Sequence, residues 1–215
     1  MHVLAHRGYW LEAAEQNTFG AFERALAAGF GIETDIRDAA GQLVISHDIP
    51  RTPVQPLERL LALYRRLQAA TYLAFNIKAD GLWSLLQSQL HEYGITQYFV
   101  FDMSIPDTIP YLRSGMNVFS RHSDYEKEAC FYADVKGVWL DQFQSNWIGQ
   151  ESIAWHTNNQ KSVCIVSPEL HKRDYAQAWP TYRSARSSLL GTPAGDPCVM
   201  LCTDHPLAAK RFFCE

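Results

Sequence analysis

The chain has 215 residues, 47% of them hydrophobic and 20% charged, a balance that suits one ordinary globular domain over residues 1–215 and excludes a disordered one. Nineteen basic residues against twenty-three acidic ones leave a formal charge of −4, so net charge gives no pull toward nucleic acid or an anionic membrane. The five cysteines carry no CxxC spacing and read as buried, reduced thiols; no charged-then-apolar leader precedes residue 6, and no run reaches the roughly 20 apolar residues of a membrane span. A cytoplasmic location is therefore expected, with oligomeric state left open.

In chain order, His2–Ala5 is expected as a strand ending at His6-Arg7-Gly8. A polar loop follows, and Asn17 or Thr18 caps a helix whose apolar positions are Phe19, Phe22, Ala25 and Leu26. Gly29 and Gly31 end it before the strand Ile32–Ile36. Ala40-Gly41 turns the chain into a short strand, Leu43–Ser46, which delivers His47 to a loop containing Pro50, Pro53 and Pro56. Leu57–Ala69 reads as a helix with Leu57, Leu60, Leu61 and Tyr64 on one face.

From there strand and helix alternate. Strands are expected at Tyr72–Ile77, Tyr98–Phe101, Asn117–Phe119, Gly137–Leu140, Ser162–Val166 and Cys198–Leu201. Helices are expected at Leu82–Glu92, Ile105–Arg113, Tyr125–Tyr132, Gln150–His156, within 172–189, and at Pro206–Phe213. With Leu43–Ser46 set aside as a hairpin, this makes eight strands each followed by a helix, which predicts a compact (β/α)8 TIM barrel with its active site at the C-terminal ends of the strands. An open doubly wound sheet is the other arrangement of such units, but no glycine-rich dinucleotide fingerprint follows any strand.

The strand-end positions are polar. Glu33 and Asp35, two apart on one strand, leave the same face, and their mutual repulsion is relieved by a hard divalent cation held through oxygen, Mg²⁺ or Ca²⁺. The alternative is that one carboxylate pairs with Arg7, Arg37 or Lys78 and no metal is needed. His6 and His47 are the acid/base candidates, because imidazole titrates near neutral pH. Arg7 suits a bidentate grip on a phosphate and Lys78 adds a second positive charge. Asp102, His122, Trp139 and Asp141 are candidate pocket residues. His2, His91, His156, His171 and His205 show no partner pattern and read as structural or surface histidines.

These residues resemble the glycerophosphodiester phosphodiesterase family, within the superfamily of phosphatidylinositol-specific phospholipase C-like barrels. The pieces are HRG at 6–8, QNT at 16–18, AF at 21–22, ETDI at 33–36, GQLVISHD at 41–48, NIK at 76–78 and CTDHP at 202–206. The resemblance implies a hydrolase that cleaves a small-molecule phosphodiester with one divalent metal. His6 and His47 would be general acid and base, Arg7 the phosphate ligand, and Glu33, Asp35 and the residue at 76 the metal ligands. A neighbouring substrate hydroxyl would attack phosphorus, and water would open the resulting cyclic phosphate. Two positions depart from the family pattern: Gln16 where Glu is usual, and Asn76 where a metal-binding Glu is usual. A related lyase that releases the cyclic phosphate, and a non-catalytic phosphate-binding barrel, are the alternatives.

Overall fold

A computed structural model describes residues 1–51, 54–188 and 198–214. They fall into two compact units, residues 4–118 and residues 1–3 with 119 onward.

In the first unit Leu4–His6 of β1 (His2–His6) pair in parallel with β2 (Gly31–Ala39), β2 with β4 (Leu73–Ile77), and β4 with β5 (Tyr98–Phe101). Between them β3 (Gln42–Ile45) folds back antiparallel onto β2. The helices are α1 (Phe19–Ala27), α2 (Leu57–Arg66), α3 (Trp83–Glu92) and α4 (Ile105–Arg113). Val118 bridges in parallel to Val100 of β5. In the second unit β6 (Phe119–His122), β7 (Gly137–Leu140), β8 (Ser162–Val166) and β9 (Val199–Thr203) pair in parallel in sequence order. Its helices are α5 (Gln150–Asn158), α6 (Ala178–Ser188) and α7 (Pro206–Cys214).

Strand order runs β5-β4-β2-β1-β9-β8-β7-β6, with β3 off this path. Eight parallel strands alternating with helices form a compact (β/α)8 barrel, the expected class. Strands buried on both faces need near-continuous apolar runs, and Leu73-Ala74-Phe75 or Val163-Cys164-Ile165 supply them. The helices lay one apolar stripe against that layer: α2 buries Leu57, Leu60, Leu61 and Tyr64, the face expected from their spacing. Thr18 caps α1 by accepting from the Ala21 N–H at 3.4 Å, and Ser104 caps α4 by accepting from Asp107 N–H at 3.3 Å.

Expectations change over residues 125–132 and at the cysteines, and the strand expected at Asn117–Phe119 runs instead over Phe119–His122, while the helix expected within 172–189 is present as α6. Residues 125–132 form no helix, although Tyr-Glu-Lys-Glu-Ala favours one. The Ser123 hydroxyl takes the backbone N–H groups of Tyr125 (3.2 Å) and Glu126 (2.9 Å), while Phe131 has φ of 53°. Local side-chain bonds thus hold the segment as turns, and β6 runs to β7 with no helix between. Cys130 is exposed, whereas Cys164 and Cys202 are buried as expected; none of the four described cysteines is in a disulfide, and Cys198 stands just ahead of β9 rather than within it. Helix α6 begins at Ala178, ahead of Pro180, and a 3-10 turn at Pro168–His171 precedes it. Pro53, Leu189 and the Cys214 side chain lie outside the described residues. No helix among those described is long and apolar enough to cross a membrane.

Candidate active site

The first unit assembles most of the expected site through strand register. His6 lies opposite Glu33 and Asp35 opposite Asn76 across parallel pairs, so each strand end offers a polar side chain to its neighbour. His6 Nε2 is 3.9 Å from Glu33 Oε2. After His6 the chain turns sharply, with φ of 56° at Arg7 and 88° at Gly8. The left-handed region is open to glycine but costs other residues energy, so strain is held beside the site. The Arg7 N–H donates to Glu33 carbonyl oxygen at 2.9 Å and fixes the turn against β2.

Gly8 answers a second demand. A Cβ there would lie 2.9 Å from the Ala21 backbone carbon, so only glycine lets this turn rest on α1. Gly8→Ala is expected to destabilise the protein by about 1–3 kcal/mol, lowering Tm by roughly 3–10 °C in thermal denaturation. An unchanged Tm would show that the turn is not held in this form.

Glu33 and Asp35 are 2% and 1% exposed. Asp35 is well partnered: Oδ2 lies 3.1 Å from Arg7 Nε and accepts from Asn17 Nδ2 at 2.9 Å, and Oδ1 lies 3.5 Å from Lys78 Nζ. The pairing of a carboxylate with Arg7 and Lys78, left open by the sequence, is therefore present. Glu33 is the opposite case. Its Oε2 and the Asn76 Oδ1 are buried without a hydrogen-bond partner. Burial first, and then the charge of Asp35, push the Glu33 carboxyl up to about 7. Two acceptor-only oxygens left bare in a buried site, beside a second carboxylate, are the donor set of a hard cation.

Gln16 and Asn17 prove to be supporting residues. Gln16 Oε1 accepts from Arg7 Nη1 at 3.1 Å. Asn17, at φ of 59°, accepts from Thr34 Oγ1 at 2.8 Å while its amide donates to Asp35, and Gln55 donates to its backbone carbonyl. The sequence offered the QNT string and, for Asn17, a place as helix cap, which Thr18 takes instead.

His47 arrives by way of the hairpin. Because β3 returns antiparallel, Ile45 pairs with Ile36 and Ser46 N–H donates to Asp35 carbonyl oxygen at 3.0 Å. His47 is the next residue. It is half-exposed, with Nδ1 2.9 Å from Asp48 Oδ1. It shares with Arg7, Gln16, Asn17 and Arg59 a cleft of about 740 Å³. Asp102 stands one residue past β5 with φ of 67°.

The other candidates belong to the second unit. Trp139 is buried in β7 opposite Arg121, and Asp141, two residues on, shares its face. Asp141 Oδ2 is 3.8 Å from Arg121 Nη1, and Oδ1 is 2.6 Å from His171 Nε2, a partner the sequence did not reveal. His122 leaves the opposite face of β6 from Arg121. Its Nδ1 meets His156 Nε2 at 3.1 Å, and Tyr132 Oη meets His156 Nδ1 at 3.0 Å. Burial lowers both imidazoles, His156 to about 4. These are neutral rings, and His156 is itself carried on α5. Thr203, from the tail motif, donates to Glu169, which also takes the Asp204 N–H at 3.2 Å; the motif ties the end of β9 to the segment after β8.

No protein-family model matches the chain, and no curated protein does. Solved structures do. A glycerophosphodiester phosphodiesterase from Agrobacterium tumefaciens str. C58 is 16% identical with a TM-score of 0.63, over 96% of this chain and 97% of that one. A glycerophosphoryl diester phosphodiesterase from Parabacteroides distasonis ATCC 8503 is 13% identical with a TM-score of 0.64, over 98% and 85%. A Ca²⁺-dependent phosphatidylinositol-specific phospholipase C from Streptomyces antibioticus is 11% identical with a TM-score of 0.55, over 97% and 95%. At these identities the shared property is the fold.

Proposed function

We propose that this chain is a metal-dependent phosphodiester hydrolase of the glycerophosphodiester phosphodiesterase kind. One observation carries the reading: Glu33 and Asp35 are buried side by side at parallel strand ends, and Glu33 Oε2 and Asn76 Oδ1 are left bare there. A purely structural carboxylate pair would be expected to hydrogen-bond through both members; here Asp35 does, while Glu33 Oε2 makes no hydrogen bond and lies 3.9 Å from His6 Nε2. The likeness in fold to two phosphodiesterases supports the same reading.

Glu33, Asp35 and Asn76 would hold one divalent cation, and an all-oxygen set selects Mg²⁺ or Ca²⁺ over zinc. When bound, the ion supplies positive charge to the non-bridging phosphate oxygens. Arg7 and Lys78 add to it: each lies against Asp35, so their charges are already placed when an anionic ester arrives. Gln16 and Asn17 hold Arg7 and Asp35 in these positions.

His6 and His47 divide the proton transfers. One accepts the proton of the substrate hydroxyl next to the phosphate as that oxygen bonds to phosphorus. The other gives its proton to the departing alcohol oxygen as its P–O bond breaks. The cyclic phosphate left behind is opened by water, and the two histidines exchange roles.

The test is a screen of phosphodiesters, glycerophosphocholine and glycerophosphoglycerol among them, with Mg²⁺, Ca²⁺ or Mn²⁺ and with EDTA. Phosphorus NMR of the products is the readout. Hydrolysis that appears with a divalent ion and ends in a monoester is expected. Accumulating cyclic phosphate would make the protein a lyase, and no turnover of any diester with any ion would defeat the proposal.

A further inference from the structure

The cleft that takes in Arg7 and His47 is also lined by Phe19 of α1 and Arg59 of α2, and all four residues belong to the unit of residues 4–118. At about 740 Å³ it is of the size that takes a whole small molecule, so an ester phosphate held at Arg7 leaves room for its alcohol part. The charges along it do not balance. Asp48 is the one carboxylate among the described residues lining it, and its Oδ1 lies 2.9 Å from His47 Nδ1. Arg7 is engaged by Asp35 and Gln16. Arg59 is different: Arg7, Arg24 and Arg66 each lie 3.1 Å or less from a carboxylate oxygen, but among the described residues no carboxylate pairs with Arg59. Its guanidinium lies instead over the Phe19 ring, 4.8 Å from the centroid.

Stacking on a half-buried ring steadies a long side chain, and it leaves the N–H donors, which lie in the guanidinium plane, open to an oxyanion. The same contact decides against a cationic alcohol. Phe19 is the one aromatic ring among the described residues lining the cleft, and Arg59 covers a face that a quaternary ammonium group would need. A second cation brought there meets like charge. We propose that Arg59 is a specificity-determining residue and that the cleft selects diesters whose alcohol part carries a second oxyanion, a carboxylate or a phosphate. Arg7 takes the ester phosphate and Arg59 the second anion. This rests on the phosphodiesterase reading.

The experiment compares esters of glycerol 3-phosphate that differ in the second alcohol: glycerol, glycerate, glycerol phosphate and choline, each with Mg²⁺, Ca²⁺ or Mn²⁺. In wild type, kcat/KM for the glycerate and glycerol phosphate esters should exceed that for the glycerol ester about tenfold, the worth of one charge-assisted hydrogen bond, with the choline ester lowest. A gain with one anionic ester alone identifies which oxyanion the cleft takes. The preference should shrink as salt is raised. Arg59→Gln should bring the glycerate and glycerol esters level, chiefly through KM. Arg59→Glu should reverse the order and place the choline ester above the glycerate ester. A loosened fold lowers every rate and reverses none, so the reversal separates recognition from structural support. Equal kcat/KM for all four esters in wild type, or a wild-type order that survives Arg59→Glu, would overturn this inference and leave the phosphodiesterase reading standing. No turnover of any ester with any of the ions would overturn both.

Discussion

Alanine at His6 is expected to lower kcat/KM for a glycerophosphodiester by about two to four orders of magnitude, and alanine at His47 to do the same, with the double variant little worse than either. The near-absence of additivity is the sharper part. Two groups that pass protons to opposite ends of one displacement act as a unit, so loss of either strands the other. Removal of two independent binding contacts would instead multiply. The protein should fold in both cases. His47 is half-exposed and bonded to the neighbouring Asp48, and the His6 backbone carbonyl, which alanine keeps, accepts from Trp10 Nε1 at 3.0 Å. Thermal denaturation of the variants should therefore match wild type within a few degrees. Activity that survives both substitutions would remove the acid/base assignment and leave a phosphate-binding barrel.

What made His6, Arg7, Glu33 and Asp35 legible in the sequence was period. A strand alternates its side chains, so residues 33 and 35 share a face wherever the strand lies, and His-Arg-Gly past an apolar run marks a strand end. Period does not reveal register. That His6 faces Glu33 and Asp35 faces Asn76 follows from how neighbouring parallel strands slide into place, which depends on packing of the whole layer. His47 was a candidate from the sequence, and the antiparallel return of β3, with Ser46 N–H on the Asp35 carbonyl at 3.0 Å, shows how the residue before it meets β2.

The misses have a common origin in side chains that act over distance. His171 sits in a 3-10 turn with no apolar rhythm around it, and its partner is 30 residues back. The segment after β6 has good local helix propensity, yet Asp124 accepts from the backbone N–H groups of Gln144 at 3.2 Å and Ser145 at 3.3 Å, so it is committed to the loop after β7. A propensity sum over 125–132 contains none of this. Gln16 and Asn17 were visible as a string, but their tasks, holding Arg7 and bridging Thr34 to Asp35, needed coordinates.

Glu33→Gln is expected to act in opposite directions on stability and on metal binding. In the metal-free protein the Glu33 carboxyl is raised from 4.5 to about 7, chiefly by burial. A carboxyl raised on folding stabilises the fold while both states are protonated, below about 4.5, and loses that contribution as pH rises through about 7. Wild type in EDTA should therefore weaken between pH 5 and 8, by on the order of 1–3 kcal/mol, a slope that the neutral amide of the variant would flatten. At pH 8 without metal the variant should be the more stable protein. A divalent ion reverses the order. It binds the ionised carboxylate, so it should raise the Tm of wild type, and more at pH 8 than at pH 6, because fewer protons must leave. The variant, with Asp35 as its one charged ligand and that already paired to Arg7 and Lys78, should bind the ion about a hundredfold more weakly and lose activity in step. Thermal denaturation of both proteins at three pH values, with and without Mg²⁺ or Ca²⁺, separates the claims. Equal pH slopes in EDTA would mean that Glu33 is not desolvated, and equal stabilisation by the ion would mean that Glu33 is not its ligand.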